Sequence, residues 1–350
     1  MSFTVHRFSD VKDKEALLAL WNSNHKEHLG RAYEWAYENN PAGKAMGFLA
    51  RSDEDHACIG CSAAYPRRFS FLDTSLRGLI ARDFLVDEKH RILGPALALM
   101  RELTSAVEEK GVDFIYAYPN AKAEPVMKRA GFTCLGSWTK MVKPMGITRR
   151  LRNRRIPWRL ARVISRVCAT ALRLRDTETW FWSRGGFIFE EITTFDERLD
   201  TLWKESKSRF QVMGERTSEH CTWKFLKCPS TQFTVFAMFS PDRAVLKGYI
   251  ASCIDENAVD IRDFVLPRDE KATRILLAHF LRHVRKMSPD SVVVAFLENE
   301  GLRNLFRRYG FRERPAKRRV YCCFSRNTLK SFPGLKEARN WLLLGSDVHY

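Results

Sequence analysis

Arg82-Asp83-Phe84-Leu85-Val86 reads as a strand, and after residues 87–92 Leu93-Gly94-Pro95-Ala96 opens a helix. A strand feeding a glycine-containing loop and then a helix N-terminus presents backbone N–H groups and the positive end of the helix dipole, a setting that favours phosphate. Gly94 permits close backbone approach there, and Pro95 suits a first helical turn. Working outward, Arg82-Asp83-Phe84 recurs as Arg262-Asp263-Phe264, and Arg129-Ala130-Gly131-Phe132 recurs as Arg308-Tyr309-Gly310-Phe311. Leu20-Trp21 matches Leu202-Trp203, while Trp35, Tyr37 and Pro41 line up with Trp223, Phe225 and Pro229. Order is kept and the offset stays between about 179 and 188 residues. These echoes read as a tandem duplication of one domain, each copy expected to bury its own core.

The periodicity predicts the same element order twice. In the first copy a strand near residues 3–8 precedes helices over 14–26 and 35–41. Strands follow over 45–50, 57–65 and 76–86, then a helix over 94–110, a strand over 112–118, a helix over 123–130 and a last strand over 133–142. The second copy repeats this from about residue 199 to residue 324. Strands first, then a strand–helix–strand crossover, give an α/β fold (α+β mixed sheet). The expected organisation is residues 1–145, a connector over 146–186, a second domain over 187–325, and a tail over 326–350.

Of 350 residues 45% are hydrophobic, which suits two globular domains, and no apolar run reaches the length of about 18 residues that spans a membrane. The N-terminus lacks the apolar core of a signal peptide, and nine scattered cysteines fit a reducing, cytoplasmic location. Cys58 and Cys61 have zinc or redox spacing without a second pair, so buried structural thiols are expected. His279 and His283 read as a helix-surface pair, and no metal is expected.

The net charge of +18 is uneven: between Lys140 and Arg175 lie ten arginines, two lysines and no acid, so this stretch alone supplies +12. After Pro157, Leu160, Val163, Ile164, Val167, Ala171 and Leu174 form one helical stripe, and Arg159, Arg162, Arg166 and Arg173 another. The leading expectation is a connecting helix packed on both domains with a solvated basic face. Peripheral contact with an anionic membrane through residues 157–175 is the second reading, and nucleic acid the least favoured.

Arg91-Ile92-Leu93-Gly94-Pro95-Ala96 fits Arg/Gln-x-x-Gly-x-Gly/Ala, and downstream stand Asn120-Ala121-Lys122-Ala123 and Gly131-Phe132. With these in strand order, the chain resembles the GNAT superfamily of acetyl-CoA-dependent N-acetyltransferases, over most of 1–145 and more faintly over 187–325. More narrowly, Trp35 to Gly43 and the arginine-rich insert resemble tandem GNAT proteins linked to bacterial polysaccharide synthesis. The resemblance implies that Leu85 and Val86 offer backbone groups to the pantetheine arm and thioester. It implies that Arg91, Ile92, Leu93, Gly94, Pro95 and Ala96 cradle the pyrophosphate of acetyl-CoA, and that Asn120 contacts the cofactor arm. For Asn120 the alternative is a strand-end cap.

An attacking amine must lose a proton, and a carboxylate on the central strand serves as base in such chemistry. Asp83 is the first candidate, although its repetition as Asp263 argues partly for a structural role. The tyrosine that the family uses as general acid is replaced by Met127, and by Phe306 in the second copy. The second loop, residues 267–274, has no glycine and carries Asp269 and Glu270, with Arg274 aligned on Gly94. The second copy is therefore expected not to hold acetyl-CoA but to shape an acceptor cleft between the domains. For the polar tail a disordered end is expected over one that reaches this cleft.

The implied reaction is acetyl transfer to a primary amine, an amino sugar or sugar nucleotide being the preferred acceptor. A Fem-type transferase using aminoacyl-tRNA and a non-catalytic binding protein are the competing classes.

Overall fold

The computed structural model describes all residues except 1, 9–10, 25–29, 91–92, 109–110, 148–156, 177, 179–184, 317 and 349–350. Arg91 and Ile92 therefore lie outside the described residues, as does the side chain of Leu93.

The first half contributes β1 (Phe3–Arg7), β2 (Met46–Ser52), β3 (Cys58–Phe71), β4 (Thr74–Val86), β5 (Phe114–Ala117) and β6 (Thr133–Pro144). The second contributes β7 (Ile188–Ile192), β8 (Val212–Gly214), β9 (Phe233–Phe239), β10 (Leu246–Asp255), β11 (Ala258–Val265), β12 (Ser291–Leu297), β13 (Arg312–Arg314) and β14 (Arg319–Phe324), and the tail adds β15 (Trp341–Leu342). Side chains alternate across the first half's sheet as the strand pleat requires. Ala64, Leu79, Ala81, Ile115 and Ala117 face Leu99, Met100 and Leu103 of the crossover helix Leu93–Ser105. Tyr65, Ile80, Phe114 and Tyr116 point the other way, into a cluster with Leu17, Trp35 and Tyr37. That second cluster also takes in Trp223, Val320, Trp341 and Val348, so one face of the first half is covered by the second half and the tail.

The described strands join one sheet whose main path runs β1-β2-β3-β4-β5-β14-β6-β12-β11-β10-β9-β7, with β13 paired to β6 and β8 paired to β3 and β15 beside it. The last strands are exchanged: β14 pairs antiparallel with β5 of the first half, and β6 with β12 of the second. The expectation that each copy buries its own core is corrected here. Each half lends its final strand to the other, and β14 and β6 pair with each other at the join, from Arg319↔Ser137 to Cys322↔Thr133. The element order nevertheless repeats. Each half has a one-turn π-helix, Glu34–Glu38 and Thr222–Leu226. Trp35 and Trp223 stack at 4.5 Å between these turns, and each indole N–H donates to the other tryptophan's carbonyl, at 2.9 and 3.0 Å.

The tail departs from the expected disordered end. Residues 341–348 are buried; β15 pairs parallel with β8, Leu297 N–H donates to Leu343 O at 3.0 Å, and Phe296 bridges to Leu344. Asp347, fully buried, then ties the halves together. It accepts from Arg67 of β3 at 2.8 Å and from Arg216 of the second half at 2.8 Å.

The connector helix Trp158–Arg175 also departs from expectation. Leu160, Val163, Val167 and Leu174 are between 53% and 63% exposed, so the apolar stripe is not packed on the domains. The half-buried side is instead Ile164, Ser165, Cys168 and Leu172, and the helix is tethered where it ends. There the buried Asp176 and Glu178 pair with the buried Lys143 at 3.0 and 3.3 Å.

The Asp347 contacts carry a stability prediction. Asp347→Ala leaves two buried guanidinium groups short of their shared carboxylate, an expected loss of about 3–5 kcal/mol in chemical denaturation. A loss below about 1 kcal/mol, the worth of an exposed pair, would contradict the role given to this residue.

Candidate active site

β4 and β5 run parallel only from Gly78↔Phe114 to Ala81↔Ala117, after which β4 continues to Val86 without β5 alongside. The two strands part at this point. On its other edge β4 carries a bulge opposite β3, where Cys61 pairs Leu85 and Ala63 pairs Arg82, so Asp83 and Phe84 oppose Ser62 alone. Asp83 sits in this bulge at φ 46°, in the left-handed region that aspartate tolerates better than most residues. The bulge re-aims its side chain. Asp83 is half-buried, and its Oδ2 accepts from Tyr37 at 2.8 Å and from Tyr65. Among the described residues its Oδ1 accepts no hydrogen bond. Burial and the Asp83 charge both push the two tyrosine pKa values well above their ordinary range, so the tyrosines remain hydroxyl donors.

The backbone of Leu85 and Val86 leads from the bulge with both side chains buried, and the Leu93–Ser105 helix begins shortly after. Gly94 is exposed at its start, Pro95 buried and Ala96 half-buried. A Cβ at Gly94 would meet only the Phe3 ring, at 3.4 Å, which leaves the outward side open. The first-turn N–H groups of a helix have no intrahelical partner, so this end suits an anionic group. Asn120 is exposed beside the Glu124–Arg129 helix, and its Oδ1 accepts from Lys122 N at 3.0 Å and Ala123 N at 2.9 Å. That carbonyl oxygen is spent on the turn leading into this helix, and the amide nitrogen is left for a ligand. Met127 is buried in the core under the crossover helix and carries no acid to the site. Cys58 and Cys61 lie in β3 with thiol pKa values raised by burial, as structural thiols would be. His279 stacks on Phe189 and His283 pairs with Glu191 at 2.8 Å, while no metal-holding group occurs among the described residues.

Asp263 repeats the position but not the surroundings. Fully buried, it accepts at Oδ1 from Arg216 Nε and Nη2, at 3.0 and 2.9 Å, and at Oδ2 from Tyr249 OH at 2.8 Å. Both of its oxygens are committed. The space beside β12 in this half is filled by residues 342–344 of the tail, after β11 and β12 have parted at Ile261↔Val294. The tail then approaches the first half's site: Tyr116 OH donates to Asp347 O at 2.6 Å and Arg82 Nη1 to Val348 O at 3.2 Å. Sequence reasoning missed Tyr37, Tyr65, Arg67, Arg216 and Asp347. Only Tyr65 left a readable signal, since Tyr249 stands at nearly the same repeat offset.

The seam between the halves opens into a pocket of about 710 Å³ floored by Trp35 and Trp223. Glu34 and Glu219 stand at its wall with Phe195 and Lys227. Beside the two indoles lies Lys224, buried, its ammonium 5.4 Å from one ring and 6.0 Å from the other. Arg67 and His220 are in contact nearby, and burial followed by the Arg67 charge holds His220 well below its usual pKa and hence neutral.

Residues 14–132 match the model of the Acetyltransferase (GNAT) family. No curated protein sequence matches the chain. Its fold is similar to that of a conserved protein from Enterococcus faecalis V583 described as a probable N-acyltransferase (TM-score 0.65, 14% identity, 95% of this chain and 74% of that one). A GCN5-related N-acetyltransferase from Anabaena variabilis ATCC 29413 is similar at TM-score 0.64 and 12% identity, over 92% of this chain and 72% of that one. So is Saccharomyces cerevisiae N-myristoyltransferase with bound myristoyl-CoA, at TM-score 0.53 and 14% identity over 92% and 82%. At these identities the likeness is one of fold. The family match and the fold support a GNAT-type acyltransferase, with its GNAT domain in the first half.

Lys224 gives this seam a pH signature. Burial lowers its pKa from 10.5 to about 7. Between those values the unfolded chain holds a proton that the folded chain does not, so stability rises with pH across that window. Below about 7 the cost of burying the charge is borne in full. Lys224→Met is expected to flatten this slope in urea melts taken across the window. Identical slopes for both proteins would contradict the assignment.

Proposed function

We propose that the first half transfers an acetyl group from acetyl-CoA to a primary amine, with Asp83 as general base. The observation that carries this reading is the free Oδ1 of Asp83, at a bulge beside the point where β4 and β5 part. A carboxylate so held can take a proton from the incoming ammonium, freeing the nitrogen lone pair. The amine nitrogen then bonds to the thioester carbon and gives up a second proton to water, the C–S bond breaks, and the CoA thiolate leaves and takes that proton back from water. Arg91, Ile92, Leu93, Gly94, Pro95 and Ala96 are the proposed pyrophosphate cradle, Leu85 and Val86 the proposed backbone contacts for the thioester arm, and Asn120 a contact through its amide nitrogen.

The acceptor on this reading is an amino sugar or a nucleotide-linked amino sugar, of the kind used in bacterial polysaccharide synthesis, entering from between the halves. Glu34 and Glu219 outnumber Lys227 in the lining of the seam pocket, in a chain of net charge +18, which favours an ammonium-bearing acceptor, and the adjacent aromatic rings suit a sugar face. The second half, a duplicated and repurposed copy, supplies one wall of that pocket. Its own loop has Arg274 where the first has Gly94, and its strand gap holds the tail.

Calorimetry and a thiol-release assay test the reading together. Gly94→Glu is expected to abolish acetyl-CoA binding, and Arg274→Glu to leave it unchanged. Asp83→Asn is expected to keep the affinity and lower turnover by about 10²-fold. Binding lost through Arg274→Glu instead would reverse the assignment of the halves, and full turnover by Asp83→Asn would remove the base.

The same reading sets the enzyme in the cytoplasm, resting on the inner face of an anionic membrane. The exposed stripe of Leu160, Val163, Val167 and Leu174 lies beside the row of Arg159, Arg166 and Arg173, the composition of an interfacial helix. Each arginine near such a surface contributes about 1 kcal/mol. The protein is expected to sediment with phosphatidylserine-containing vesicles at low salt, and Arg159→Glu/Arg166→Glu/Arg173→Glu to stay in the supernatant with acetyl-CoA affinity intact. A wild-type protein that leaves such vesicles unbound ends the membrane reading.

A further inference from the structure

The second half contains a pocket of about 420 Å³ that the transfer reaction does not use. It lies at the carboxyl end of β11, with Leu342 of the tail segment forming part of its wall. Phe210, Met213, Phe264, Leu302, Leu305 and Leu342 give it a mainly apolar wall. Its volume falls within the range of ligand pockets, which combine apolar walls with a few placed polar groups.

Those polar groups are mostly spent on the protein itself. Thr273 donates to Pro267 O at 2.9 Å, Asn299 Oδ1 caps a helix by accepting from Leu302 N at 2.9 Å, and Glu270 pairs with Arg308 at 2.8 Å. Arg209 differs. It is half-buried in the lining, donates one N–H to the carbonyl of Leu266, and forms no ion pair with a carboxylate among the described residues. Arg268, exposed nearby, likewise donates only to Glu205 O and Ser208, and the two guanidinium charges repel each other. Arg209 in the lining with Arg268 near it, while the lining's acid Glu270 is already paired with Arg308, calls for an anion attached to an apolar body. A free phosphate would leave the apolar wall wet, and a neutral hydrocarbon would leave the arginines as they are.

We propose that this pocket binds a medium-chain carboxylate, with the alkyl chain against Phe264, Leu302 and Leu305 and the carboxylate on Arg209 and Arg268. The site is independent of acyl transfer in the first half. The strands that splay to admit a thioester in one half would, in the other, admit only the aliphatic part of a ligand, because the glycine loop is missing and the tail fills the rest of the gap.

Decanoate below its micelle concentration is the probe, with binding read by calorimetry and by thermal shift. Saturable binding is expected, with one decanoate per chain in this pocket. Arg209→Gln is expected to weaken it at least tenfold while leaving the weaker binding of 1-decanol unchanged, and Leu305→Trp, which fills the pocket, to remove both. Met213→Trp provides a second filling variant should Leu305→Trp fail to fold. Gly94→Glu and the triple connector variant should bind decanoate as the wild type does, which separates this site from the thioester site and from the membrane helix. No saturable binding, binding that survives both filling variants, or binding lost in Gly94→Glu would each overturn the proposal. Equal affinity in Arg209→Gln would overturn the placement of the carboxylate.

Discussion

The exchange of β6 and β14 is the constraint on which the rest of the molecule depends. A strand at the edge of a sheet exposes a row of unsatisfied N–H and C=O groups, and each half here would have such an edge at β5 or β12 without its partner's last strand. Pairing across the halves makes one continuous sheet and fixes their relative placement. It also removes the independence that two cores would otherwise have. The tail follows from the same geometry. Once the halves are locked, a segment can pass from β8 and β12 of one to Arg67 and Tyr116 of the other, and Asp347 fixes it there with two buried ion pairs. Buried ion pairs add little net stability, yet breaking one is costly, so Asp347 specifies where the tail lies more than it strengthens the fold.

The same tripeptide, Arg-Asp-Phe, has two chemical outcomes in the two halves, and neighbours rather than position decide between them. Asp263 meets Arg216 and Tyr249, both oxygens are occupied, and its charge is matched inside the core. Asp83 meets two tyrosines that donate to a single oxygen, and the other oxygen is open. The bulge matters as well: Asp83 has φ 46° and stays half-buried, whereas Asp263 is fully buried without a positive φ. A repeated residue is therefore weak evidence against catalysis when its partners are not repeated. Phe225 stands where Tyr37 stands in the first half, and that single difference removes one of the two hydroxyls.

Local features were legible in the sequence because they have local causes. The apolar runs of β3 and β4, the glycine and proline opening the Leu93 helix, and the Trp and Gly-Phe echoes each rest on a few adjacent residues, and the mixed sheet followed from them. Strand exchange leaves no such trace, since β6 has the same alternation whichever neighbour it pairs with. The tail looked polar from Gly345 onward, but its Asp347 is polar in order to meet Arg67 and Arg216, which stand about 280 and 131 residues away. Long-range ion pairs of this kind are invisible to any window of sequence. The connector stripe was seen and its destination was not, for an amphipathic period states that an apolar face exists without stating what covers it.

That uncovered face bears on how the charge is used. Supplying +12 of a +18 excess from one segment would be a poor way to keep a protein soluble, because clustered charges repel one another and raise the local cost of folding. Clustering does serve a surface of opposite sign, where the field falls off within a Debye length of about 8–10 Å and only nearby charges contribute. The connector is held at one end by Asp176 and Glu178 on Lys143, which neutralises the segment where it enters the core and leaves the arginine row outside. At the seam the sign reverses, with Glu34 and Glu219 facing a pocket meant, on the reading proposed above, for an ammonium-bearing acceptor. On the proposed reading, a basic outer helix and a seam pocket carrying Glu34 and Glu219 would act on different molecules at once: the helix would hold an anionic surface, and the pocket would select a cationic group from what that surface brings near.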